Sequence, residues 1–216
     1  MICTLVTSFL TQVSIIRARQ DLFVSNMFLL ESIAQVAKDV GSNLHGKCLE
    51  MLCNASRLPG NNTSLTRFPG IIETLLGACS STEVQDRVWA LRTLQNMSSD
   101  TASKSTLASS TLLTILINGV TCKNHEEQHA AMATLLNLST DPSAVVPITS
   151  TKNVLATLVY LAHNAESTAD IRLMACNALA TVGLWLQTVA GFGTIPEETR
   201  RVLLPSHKTA GWNIWE

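Results

Sequence analysis

The chain has 216 residues, 46% of them hydrophobic, 14% charged and only 5% aromatic, which gives it enough apolar material for a sizeable core without the aromatic anchors that fill sandwiches and barrels. Fifteen basic and sixteen acidic residues leave a net charge of −1, so no overall field draws in nucleic acid or an anionic membrane. Six cysteines, Cys3, Cys48, Cys53, Cys79, Cys122 and Cys176, are scattered through a chain too large to need disulfide staples, and they read as reduced thiols of a cytoplasmic or nuclear protein.

In chain order, Met1 to Ile16 is apolar in places but lacks a basic leader region and a cleavage site, which disfavours a signal peptide. The glycosylation sequons at Asn54, Asn61, Asn62, Asn96 and Asn137 are then expected to stay unmodified. Within the opening stretch, Leu10, Gln12 and Ser14 fit a signature that recurs further on. That signature is Leu52-Cys-Asn54-Ala-Ser56, then Leu94-Gln-Asn96-Met-Ser98, then Leu135-Leu-Asn137-Leu-Ser139, with the asparagines 42 and 41 residues apart. A fourth copy follows 44 residues on in Ala175, Cys176, Leu179 and Val182, where Thr181 replaces the asparagine. Small residues Cys48, Ala90 and Ala131 share one register, and Gly46 stands where Val88, His129 and Leu173 occur. The last three positions are expected to face inward.

Apolar positions three and four apart, as in Leu49, Leu52 and Ala55, predict helices and no strand. Second helices are predicted at 68–78, 111–119 and 153–162, and Phe28-Leu-Leu-Glu31 lies 42 residues before Gly70-Ile-Ile-Glu73. Breakers at Pro59-Gly60-Asn61-Asn62, Ser98-Ser99-Asp100 and Asp141-Pro142 predict loops between units. The expected organisation is one domain over 1–216: a partial repeat 1–42, repeats at about 43–83, 84–124 and 125–167, and a final repeat with a C-terminal cap at 168–216. Leu173 to Pro196 is uncharged and long enough to span a bilayer, but its Asn177, Gln187 and glycines favour a helix of the repeat array. Pro196 to Leu204 reads as a cap, and the tail Gly211-Trp-Asn-Ile-Trp-Glu216 either packs on the last repeat or presents a docking motif.

Ala131-Met-Ala-Thr-Leu135-Leu-Asn137-Leu-Ser139, recurring every 41 to 44 residues over about 24–186, resembles the armadillo repeat. The resemblance implies an all-α, right-handed superhelix of about four repeats plus partial terminal units. It also implies a protein-binding scaffold, not an enzyme, with no cofactor, that holds an extended peptide in a concave groove lined by the third helix of each unit. Helical spacing places on that face Lys47, Glu50 and Asn54; Trp89, Arg92 and Asn96; Ala130, Ala133 and Asn137; and Met174, Asn177 and Thr181. An Asn amide offers donors and an acceptor to a peptide backbone, yet an Asn near a helix end can equally satisfy neighbouring groups of the repeat itself. Trp89 stands likewise between groove and core. The groove lacks both the regular tryptophans of nuclear-import receptors and the basic lining of beta-catenin-like proteins, and names no ligand.

Two other readings compete. His125-Glu-Glu-Gln-His129 spells the zinc-hydrolase pattern, but Met132 and Leu135 fill the places of its extended form, and a partly buried, structural His129 is expected instead. Alternatively the chain is a regulatory piece of a larger armadillo protein, whose exposed, apolar first repeat would favour self-association.

Overall fold

Apolar residues recurring every three to four positions become helices throughout the computed structural model, which describes residues 2–16 and 19–189. In order these are α1 (Ile2–Ile15), α2 (Gln20–Ser25), α3 (Met27–Lys38), α4 (His45–Ser56), α5 (Pro59–Arg67), α6 (Ile71–Ala78) and α7 (Val84–Ser98). Then come α8 (Thr101–Leu107), α9 (Ser110–Val120), α10 (His125–Ser139), a 3-10 turn at Pro142–Ala144 that runs into α11 (Val145–Ser150), α12 (Val154–His163) and α13 (Ala169–Val189). No strand occurs among the described residues. After α1 the helices recur in threes: a short one, a middle one and a signature helix. The signature helices α1, α4, α7, α10 and α13 stack one on the next in a single row, while each middle helix packs beside its own signature helix.

The sequence fixes where helices start. Asn124 caps α10 by accepting from the backbone N–H groups of Glu126 and Glu127, two acids that also suit the positive end of the helix dipole. Asn26 and Ser109 cap α3 and α9 in the same way. Gly70 and Asn153, in equivalent positions at the entry to α6 and α12, are the two positive-φ residues among those described, at 84° and 68°. Glycine and asparagine are the residues that tolerate that turn. Pro59-Gly60-Asn61-Asn62, predicted as a loop, instead forms the first turn of α5, with Pro59 at a helix start where its missing N–H costs nothing.

Leucine and alanine carry the core as the composition implies. Leu49, Leu52, Leu91, Leu94, Met132 and Leu135 are all buried. So are the small residues Cys48, Ala90, Ala131 and Ala175. A Cβ added to Gly119 would stand 2.8 Å from the Ala131 Cβ, so α9 and α10 touch through these two residues. A Cβ on Gly46 would meet Asp86 Oδ1 at 3.0 Å. The glycine that departs from the repeat pattern thereby makes room for an acid of the following unit.

Of the three positions expected to face inward, Val88 is buried, while His129 and Leu173 lie at the surface. Their shared register faces the next signature helix, not the interior of its own unit: Gly46 lies against Asp86 of α7, Val88 is 1% exposed, and His129 lies at the surface and pairs with Asp170 of α13 at 3.2 Å. Leu173 has no following helix among the described residues and is 60% exposed. α13 buries Ile171, Ala175, Ala178 and Val182 against its neighbours α10 and α12. By length and composition Ala169–Thr188 would suffice to cross a membrane. The expected cap at 196–204 and the tryptophan tail at 211–216 lie outside the described residues.

Substitutions at two helical glycines are expected to have opposite signs. Gly119→Val crowds the α9–α10 contact and should cost about 2 kcal/mol. Gly77→Ala, with nothing within 4 Å of the new methyl, should gain about 0.5–1 kcal/mol from helix propensity. Urea denaturation of both variants checks the pair.

Candidate binding groove

Each signature helix turns one row of side chains away from the middle helix beside it, and the sequence-predicted residues sit in that row with unequal access. Lys47 and Asn177 are exposed, and Glu50, Trp89, Arg92, Asn96, Asn137 and Thr181 are half-buried. Asn54, Ala130, Ala133 and Met174 are buried. The α10 rung is therefore small and closed at Ala130 and Ala133, leaving Asn137 as its polar surface. Trp89 packs against the core, and its ring carries the Arg92 guanidinium 5.9 Å from its centroid, a cation–π contact.

The asparagines do something the sequence left undecided. Asn54 Nδ2 donates to Ser14 Oγ at 3.0 Å, Asn96 Nδ2 to Ser56 Oγ at 2.9 Å, and Asn137 Nδ2 to Ser98 Oγ at 3.0 Å and to the Gln95 carbonyl at 3.4 Å. Each serine in turn donates to the carbonyl three residues earlier in its own helix, Ser14 to Thr11, Ser56 to Cys53 and Ser98 to Gln95. The Asn-x-Ser signature is thus two halves of one contact, the asparagine reaching back one unit and the serine receiving from the next. The ladder stops at α13, where Thr181 Oγ1 donates to the Asn177 carbonyl of its own helix, the ordinary habit of threonine inside a helix. With Nδ2 committed to the stack, the Oδ1 atoms of Asn96 and Asn137 have no donor among the described residues. The serines were legible as a recurring residue two places after each asparagine; only the pairing needed three dimensions.

The same contact bears on the sequons. In all five, Asn54, Asn61, Asn62, Asn96 and Asn137, Nδ2 donates to a partner in the folded chain, Asn61 to the Gln20 and Ala55 carbonyls and Asn62 to that of Asn96. The nitrogen that a glycan would occupy is therefore a structural donor at every sequon.

Charge along the row is neutralised locally. Lys47 Nζ meets Glu50 Oε2 at 3.0 Å, Arg92 meets Glu126 at 3.3 Å, and His129 meets Asp170 at 3.2 Å. Between α7 and α10, a shallow hollow of about 190 Å3 is lined by Arg92, Gln95, His125, Glu126, His129 and Ala130. At the other end of the signature helices runs a second set of links that pattern reading missed. Arg87 Nε and Nη2 make a two-pronged bond to the Glu127 carboxylate, both at 2.9 Å, and Glu127 is 3% exposed. That bond holds the Arg87 pKa above its usual value. His45 lies 3.5 Å from Asp86 in the equivalent place one unit earlier.

The His125-Glu-Glu-Gln-His129 pattern is divided among these contacts. Glu126, the general base of the zinc reading, faces Arg92, and Glu127 is locked to Arg87. The expectation of a partly buried His129 is corrected, since its ring lies at the surface beside Asp170. Among the described residues no three metal-ligating side chains converge. Cys48, Cys53, Cys79, Cys122 and Cys176 are free thiols. Burial pushes Cys48 up to about 11 and Cys79 up to about 12, and raises Cys53 and Cys122 as well, so these four are held as protonated, poorly nucleophilic thiols.

The Asn–Ser contact is open to a double-mutant cycle. Asn96→Ala and Ser56→Ala each remove one partner and should each cost about 1–2 kcal/mol, with a coupling of about 1 kcal/mol between them. Additive losses in chemical denaturation would mean that the two side chains stabilise the fold separately.

No protein-family model and no curated protein sequence matches the chain. Solved structures do. A designed armadillo repeat protein in complex with the peptide (KR)4 is 13% identical, with a TM-score of 0.69 over 91% of this chain and 88% of that one. A second designed armadillo repeat protein is also 13% identical, with a TM-score of 0.68 over the same shares of the two chains. An engineered protein from a structural genomics consortium is 18% identical, with a TM-score of 0.68 over 93% of this chain and 82% of that one. Recurrent triplets of helices, a stacked row of signature helices and these likenesses establish that the chain has the armadillo-type repeat fold.

Proposed function

We propose that the chain is a protein-binding scaffold that holds an extended polypeptide along its signature helices, without a catalytic step of its own. The observation that carries this reading is the divided use of the asparagines. Their Nδ2 atoms are committed to stacking, whereas Oδ1 of Asn96 and Asn137 is left as a repeated acceptor, with the half-buried Trp89 two turns before Asn96 on α7. A strand of peptide has unpaired N–H groups along its length and can satisfy them on such a row. Trp89 and Arg92 form the anchor, because a large ring capped by a guanidinium gives a ligand both apolar contact and directed donors. Lys47, Glu50, Asn177 and Thr181 form the outer rungs of the site, while the buried Asn54 and Ala133 shape its floor.

The ion pairs give this groove its preference. Every cation in the row already has an acid beside it, so the favoured ligand is an extended peptide of low net charge, bound through backbone and apolar side chains. The designed relative's (KR)4 is therefore a poor model for this chain's ligand. Nucleic acid is disfavoured for the same reason. A reducing location, cytoplasmic or nuclear, is proposed from the scattered cysteines of a chain too large to need disulfide staples.

Selection from a random peptide library, followed by fluorescence anisotropy on the recovered sequences, tests the reading. Weakly charged peptides should be recovered and the (KR)4 octapeptide should bind poorly. Trp89→Ala and Arg92→Ala should each weaken binding about tenfold or more, Arg92→Ala with little change in thermal unfolding and Trp89→Ala with an added loss of stability from its core packing. Equal affinity in wild type and both variants would remove the site from this face.

A further inference from the structure

Away from the row of signature helices, a cleft of about 480 Å3 opens between α3 and the Phe68-Pro69-Gly70 turn that leads into α6. Met27, Phe68 and Pro69 give it apolar walls, and the buried Ala34 and Thr74 form its floor. The walls come from two successive units, so the cleft is a feature of one internal junction. Its volume lies in the range of sites that bury a ligand.

The floor holds a polar group with nothing to bond. The other buried threonines among the described residues, Thr11, Thr66, Thr93 and Thr134, each donate the hydroxyl to the carbonyl four residues earlier. Thr74 is 5% exposed, yet its Oγ1 has no partner among the described residues and is not sealed from solvent. On the rim, Glu31, Gln35 and Lys38 are exposed and likewise have no hydrogen bond or ion pair among the described residues, in contrast to the paired charges of the groove. The repeat also changes character here. In the register of Phe68 the following two units carry Ser109 and Thr151, and in that of Lys38 they carry Ser80 and Thr121. The aromatic wall and the rim cation therefore belong to this junction and not to the repeat.

Such walls suit an aromatic ring, because the Met27 thioether and the Phe68 ring both gain from one beside them. A tyrosine adds a hydroxyl that can bond Thr74 Oγ1 as donor or acceptor. Glu31 and Lys38 are seven residues apart on α3, about 10 Å along the helix axis. An extended chain covers that distance in about three residues. We infer that the cleft is a docking site for an extended segment of a partner protein, which inserts one tyrosine between Met27 and Phe68 with its hydroxyl on Thr74, and sets a basic residue against Glu31 and an acidic one against Lys38. This site is separate from the signature-helix groove and stands whether or not that groove holds a peptide.

The probes are two blocked tetrapeptides, acetyl-Lys-Tyr-Ser-Asp-amide and acetyl-Asp-Tyr-Ser-Lys-amide, titrated by NMR into the full chain labelled at its methionine and threonine methyl groups. One of the two should shift the Met27 and Thr74 signals saturably. Phenylalanine in place of the tyrosine, or Thr74→Val in the protein, should weaken that binding about tenfold. Because the Thr74 hydroxyl is unbonded, Thr74→Val should leave the unfolding midpoint where it was. The double variant Glu31→Lys with Lys38→Glu, both at exposed positions, should exchange which peptide binds. No shift at Met27 and Thr74 with either peptide at millimolar concentration overturns the inference. Equal affinity for the phenylalanine peptide also overturns it, since the cleft would then be an apolar patch. So do shifts that disappear in Trp89→Ala, which would place the peptides in the groove.

Discussion

One hydrogen bond, from Asn Nδ2 of a signature helix to Ser Oγ of the signature helix before it, recurs at each of the three internal junctions between α1 and α10. A repeat unit of three helices cannot bury its own faces, and apolar stacking alone would let neighbouring units slide or rotate. The amide fixes both. Its donor meets a hydroxyl whose own proton is already directed to a backbone carbonyl, so the contact has one geometry and one polarity along the chain. At the other end of the same helices, Arg87–Glu127 pins the α7–α10 junction again.

This division of labour explains why the row can serve as a surface. An asparagine that used both halves of its amide internally would be only a structural residue, and one that used neither would not be held in place. Here the stack orients the side chain, and on the proposed reading it leaves the acceptor for a ligand, which is the preorganisation that a modest binding site needs. The neighbouring charges work the other way. By pairing among themselves they weaken any long-range pull, and on the proposed reading leave selectivity to shape, backbone hydrogen bonds and the Trp89–Arg92 pair.

Most of the fold was legible because the repeat writes the same physics several times over. The Asn-x-Ser register, the small residues and the second helices all gave positions that the structure keeps. What escaped had physical causes. Pro59-Gly60-Asn61-Asn62 has loop composition, yet proline at a first helical turn and asparagines with long-range partners make it the start of α5. The register of Val88, His129 and Leu173 looked internal because apolar residues occupy it twice, but it faces the next unit, and only the neighbour decides whether it is covered. Arg87–Glu127 was invisible since its partners are 40 residues apart and belong to no motif. The role of Asn96 was half legible: the sequence offered ligand contact and repeat architecture as alternatives, and the structure shows the second in the bond from Asn96 Nδ2 to Ser56.

If the ladder is the constraint that unites the repeats, local stability must follow it. Native-state hydrogen exchange, read helix by helix, measures this directly. Protection should be greatest in α4, α7 and α10, whose signature residues are bonded or clamped on both sides, and should fall in α13, where the ladder ends at Thr181. Protection that is uniform along the row, or highest in α13, would contradict the account.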